Sequence, residues 1–170
     1  VSGSNFYGLD IQAQIIGGGG FTKTGPGVLT LSGNNTFDGD DVIQGGRVDV
    51  LHANALGSPS GATILDGGML SLSNVVVGIE TLWVNQASPN FPSTGGNLNI
   101  LGICSWGGPV SLNTNLALTE GIMTFSGPIS GPGGLFTYNA GTHLEGPDAN
   151  TYEGLTYVSG GLLQFNKPPG

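Results

Sequence analysis

The chain has 170 residues and a formal net charge of −8, with Lys23, Arg47 and Lys167 as its only fixed cations. That is too few positive charges to neutralise a row of phosphates, which argues against nucleic acid or an anionic lipid surface as a partner. Only 8% of residues are charged and 33 are glycine, yet 38% are apolar, too many for a disordered chain, and no run of about 18 apolar residues is present to insert in a membrane.

Short apolar alternations run the length of the sequence. Residues 11–16, 28–32, 42–44, 48–51, 62–65 and 69–73 place apolar side chains at every second position. The series continues at 81–84, 98–101, 110–112, 116–118, 122–125, 156–158 and 162–165. Gly, Asn, Asp, Ser or Pro bounds each run. Period two with turn residues at both ends predicts strands. Wherever apolar residues keep a helical spacing for two turns, a glycine or proline interrupts them, so essentially no α-helix is expected. The runs start about every ten residues, the spacing of sandwiches, barrels and solenoids.

An internal duplication decides among these. Asn35-Thr36-Phe37-Asp38-Gly39 recurs as Asn150-Thr151-Tyr152-Glu153-Gly154, an offset of 115 (35 to 150). Gly45-Gly46 recurs as Gly160-Gly161, and Val48 and Val50 as Leu163 and Phe165. Upstream the offset is 114: Ile15 falls on Ile129 and Gly19-Gly20 on Gly133-Gly134. Copies at about 11–50 and 125–165 thus flank a less regular middle at 75–121. Repetition at this strand density predicts a single parallel β-solenoid over 1–170, built of about 7–8 coils of about 20 residues. Asn34, Asn35, Asn85, Asn97, Asn99, Asn113, Asn115 and Asn150 are candidates for ladders at its turns.

The stretch from Gly17 to Gly39, with Phe21-Thr22-Lys23-Thr24-Gly25-Pro26-Gly27-Val28-Leu29-Thr30-Leu31-Ser32-Gly33-Asn34-Asn35 at its heart, resembles the autotransporter-associated β-strand repeat family. Gly45-Gly46-Arg47-Val48-Asp49-Val50 and Asn54-Ala55-Leu56-Gly57 are similar to that pattern's usual continuation. The second copy departs from it at Phe136–Glu145. The resemblance implies a right-handed parallel β-helix in the passenger of a secreted or surface-exposed bacterial protein, where such repeats form a stalk and assist secretion. It carries no catalytic residues.

Asp38-Gly39-Asp40-Asp41 is the one acidic cluster. Asp38, Asp40 and Asp41 could converge in a turn as a carboxylate pair or a weak calcium site; a solvated turn is the favoured reading, because the second copy keeps only Glu153. Of the aromatic residues that could form a sugar-stacking face (Phe136, Tyr138, Tyr152 and Tyr157 among them), Trp83, Phe91 and Trp106 are taken as the ligand-binding candidates. His52 and His143 have no partner at metal-ligand spacing. The lone Cys104, beside Ile103 and near Trp106, reads as a small buried apolar residue.

The leading function is therefore a structural module of an extracellular or cell-surface protein: a stalk, adhesin or fibre subunit with no cofactor and no catalytic residue. Its expected partners are neighbouring copies or further repeats of the same protein stacked end to end, with glycans or a cell surface as further candidates. The alternative is a β-helical carbohydrate-binding module or polysaccharide-degrading enzyme.

Overall fold

The computed structural model describes residues 8–87 and 96–168. One parallel sheet stacks β1 (Gly8–Ile11), β3 (Val28–Leu31), β5 (Arg47–Val50), β7 (Met69–Ser73), β10 (Gly96–Trp106), β12 (Leu116–Phe125), β14 (Leu135–Leu144) and β16 (Thr156–Phe165), with β8 (Val76–Val77) also paired to β10. The second sheet stacks β2 (Phe21–Lys23), β4 (Asp41–Ile43), β6 (Ala62–Asp66), β9 (Thr81–Gln86), β11 (Val110–Leu112), β13 (Ile129–Gly131) and β15 (Thr151–Tyr152). The chain passes from one sheet to the other and back in every coil. The result is the expected parallel β-solenoid, of about 7 turns and without helix among the described residues.

Register sets the coil length. Val28 lies opposite Gly8, Arg47 opposite Val28, and Leu135 opposite Leu116, each step close to 20 residues. One step is longer: Asn97 lies opposite Met69 and Val110 opposite Leu82. The added length falls in the segment joining β9 to β10.

Alternation fills the interior. In β3 and β5 the inward residues are Leu29, Leu31, Val48 and Val50, and the intervening residues face outward. Parallel register then places like on like, so Leu29, Val48, Leu70, Leu98 and Leu118 form one continuous column. Each fully buried side chain of this kind contributes roughly 1.5–3 kcal/mol relative to exposure. The second sheet supplies Ile43, Leu65, Val84 and Leu112 from its side.

The first sheet carries left-handed residues part-way along its long strands and between β7 and β8. Asn74 (φ 50°), Glu120 (φ 64°) and Asn139 (φ 53°) adopt this conformation without being glycine, as do Gly102 and Gly160. The β10–β12 register slips by one residue there, between Ile100 and Ile103, as at a β-bulge. Glycine has no Cβ to clash, and the short polar side chain of asparagine can hydrogen-bond its own backbone there, whereas glutamate has neither advantage. Glu120 thus breaks the local rule that its stack neighbour Asn139 obeys. Glu120→Asn is expected to raise unfolding stability by about 0.5–1 kcal/mol, measured by chemical denaturation.

Candidate functional site

The repeat motif builds its corner around a buried asparagine. Asn35 is 1% exposed. Its Oδ1 accepts a hydrogen bond from the Ile15 amide at 2.8 Å, and its Nδ2 donates to the Ala55 carbonyl at 2.6 Å. One side chain therefore ties three successive coils. Asn150 does half of this in the second copy: its Oδ1 accepts from the Ile129 amide at 2.9 Å. The glycines recur with their reasons. A Cβ on Gly20 would overlap the Asp40 carbonyl, and one on Gly134 the Leu155 carbonyl, so two coil backbones touch at each place. The motif lysine, Lys23, closes its own turn by donating to the carbonyls of Thr24, Gly25 and Gly45.

Other turn asparagines are divided in role. Asn54 donates to Asn34 at 2.8 Å and Asn113 to Asn85 at 2.7 Å, true side-chain pairs between coils. Asn115 accepts from the Gly134 amide, and Asn99 joins Ser71 to Thr119.

The Asp38–Asp41 turn does not converge. Asp38 is exposed and accepts from Ser58 Oγ at 2.6 Å, and Asp40 is exposed and accepts from the Ala62 amide at 3.0 Å. Asp41 opens β4 and points into the solenoid, 1% exposed. Neither the calcium reading nor the wholly solvated turn describes it. Trp106 also departs from expectation: it is fully buried, with Nε1 donating to the Glu80 carbonyl at 2.7 Å. It is a core residue and offers no stacking surface. Its spacing of two from Cys104, also buried, is the signal by which the sequence could have placed it there. Trp83 faces outward from β9, 39% exposed, between Ile64 and Ser111. Phe91 lies outside the described residues. His52 accepts from the Asn54 amide through Nδ1, a turn-capping contact.

Asp41 has unusual company. The inward column of the second sheet runs Phe21, Asp41, Thr63, Leu82, Val110, Ile129. Thr63 donates a short hydrogen bond from Oγ1 to Glu80 Oε1, and Glu80 is itself 5% exposed. Both Asp41 carboxylate oxygens lack a hydrogen-bond partner among the described residues. Burial, reinforced by the negative charges of Glu80 and Asp40 and opposed in part by the Phe21 backbone, pushes the Asp41 carboxyl up from 3.8 to about 9. Burial likewise raises Glu80 to about 7, opposed by its bond from Thr63. Asp41 is therefore held as a neutral acid at pH 7, since an ionised carboxylate there would be uncompensated.

A solenoid whose coils are bound by buried corner asparagines and apolar columns defines a structural repeat protein. A family model described as the passenger-associated-transport-repeat matches residues 21–50 and 142–165. The two matched segments fall within the two copies of the internal duplication. It is 36% identical over 98 residues, 58% of its length, to the adhesin BmaC autotransporter of Brucella suis biovar 1 (strain 1330), and the match spans 3% of that protein. No solved structure matches the chain.

Two outcomes test this interior. Asn35→Ala leaves the Ile15 amide and Ala55 carbonyl unpaired and should cost about 2–4 kcal/mol, whereas Asn34→Ala at the exposed pair should cost within about 0.5 kcal/mol; urea denaturation compares them. Because Asp41 binds its proton more tightly folded than unfolded, its contribution is full below pH 3.8 and is lost as pH rises toward about 9. Unfolding free energy should fall over that range, at up to about 1.4 kcal/mol per pH unit for each such group, seen as a falling thermal midpoint, and Asp41→Asn should remove most of the slope.

Proposed function

We infer that this chain is a non-enzymatic stalk segment of a surface-exposed or secreted bacterial passenger, and that its β16 end receives a further coil of like structure. The observation that carries the reading is at Asn150. Asn35 gives its Nδ2 to a carbonyl of the following coil; the buried Nδ2 of Asn150 has no acceptor among the described residues. The apolar columns are uncovered at the same end: Val158 continues the column through Leu118 and Thr137, Phe165 follows Leu144, and the two are 45% and 58% exposed. A cavity of about 510 Å³ opens there, lined by Tyr152, Phe165 and Lys167. A stacked coil would cover these side chains and bring the missing carbonyl.

The matched repeats and the adhesin relative support placement outside the cell. The carboxyl groups coupled to each other, Asp41 and Glu80, are closed inside the core, which favours a structural over a hydrolytic role. Native material should be detected on the outside of intact cells, with a mass far above the 17.1 kDa of this chain, either as a longer polypeptide or as a stacked assembly. A 17.1 kDa monomer confined inside the cell, by surface immunolabelling and light scattering, would overturn the reading.

A further inference from the structure

The outward face of the first sheet carries a second set of features. Register aligns Arg47, Met69, Ala117, Phe136 and Tyr157 in one outward row, and Asp49, Ser71, Asn99, Thr119, Tyr138 and Ser159 in the next. At the β14–β16 end the Tyr157 ring lies 5.6 Å from Phe136 and 5.9 Å from Tyr138, tilted to both. Toward β5 the rows become polar. Asn99 donates to Ser71 at 3.2 Å, and Thr119 donates to Asn99 at 3.0 Å. That ladder leaves the second amide hydrogen of Asn99 and the lone pairs of Thr119 available.

A groove of about 410 Å³ runs from Arg47 to Tyr138, lined also by Met69, Asn99, Thr119, Glu120 and Asn139. Glu120, the one glutamate in a left-handed backbone (φ 64°), is among its walls. Stored strain of this kind accumulates where a side chain is required in a particular place.

We propose that this groove binds an uncharged glycan laid along the solenoid axis. The apolar C–H face of a sugar ring complements the electron-rich face of Tyr138, whose ring is braced by Tyr157. Its hydroxyls need both acceptors and donors, and the Glu120 carboxylate with the Asn99, Thr119 and Asn139 side chains provides them. Charge selects among glycans. The protein carries −8 overall, and Arg47 is engaged by Asp49 at 2.6 Å, so a sulfated or uronic chain meets repulsion with no free cation in the groove. An extended peptide is disfavoured because this is the face of a sheet whose backbone is already paired between coils, not an edge open to strand addition. The face lies along the side of the solenoid, so the proposal stands or falls independently of stacking at β16.

The purified chain should be titrated calorimetrically with cello-, chito- and manno-oligosaccharides, with heparin and hyaluronate as acidic comparators. At least one neutral series should bind and the acidic polymers should not. Tyr138→Ala should weaken binding by about tenfold or more, while Tyr138→Phe, which keeps the ring, should stay within about threefold. Glu120→Asn should bind more weakly while unfolding at a higher temperature, separating the role of the carboxylate from damage to the fold. Binding by none of the neutral glycans, binding confined to the polyanions, or equal affinity in the parent, Tyr138→Ala and Glu120→Asn chains would overturn the proposal.

Discussion

The hydrogen bonds between coils are the constraint on which everything else depends. A coil of about 20 residues contains no internal ladder; its strands pair only with the strands one turn before and one turn after. Each coil must therefore copy the outline of its neighbours closely enough for the parallel register to hold. Glycines where backbones touch and asparagines that reach across coils follow from that requirement. So does the duplication: Asn35 and Asn150 meet the amides of Ile15 and Ile129, residues that occupy matching places in the two copies.

The same constraint makes the interior a set of columns, and a column exposes any residue that does not belong. Asp41 stands between Phe21 and Thr63 where the other members from Leu82 onward are apolar. Its register is imposed by β2 and β6 on either side, so it cannot turn outward without breaking the pairing of β4. Protonation is the remaining way to lower the cost of burying it. The neighbouring Thr63 and Glu80 keep this part of the core polar, while Trp106 closes over the Glu80 backbone.

The outer surface is freer. Side chains there need only avoid disturbing the backbone, and the first sheet uses that freedom to gather Phe136, Tyr138 and Tyr157 at one end and a Ser71–Asn99–Thr119 ladder at the other. A stalk requires only that the face be soluble. The aromatic rings and the strained Glu120 go beyond that need, which is why the side of this solenoid invites a ligand and its end invites another coil.

Much of this architecture was legible in the residue order. Period-two runs bounded by turn residues gave strands, their spacing gave coils near 20 residues, and the matched blocks identified the equivalent corners, because each depends on short-range chemistry that repeats along the chain. Which face of a run enters the core was less legible at the corners. Asp38, Asp40 and Asp41 are adjacent in sequence, yet only Asp41 is carried inward, since the turn ends and period two begins between them. Trp106 and Trp83 are similar residues on similar strands, and burial separates them completely. The sequence offered Phe136, Tyr138 and Tyr157 as able to form a stacking face but not the groove, because its members come from strands one to several coils apart, and only the stacking register brings Arg47, Thr119 and Tyr138 to one surface. Local pattern settled what each coil is; the pairing between coils settled which residues meet.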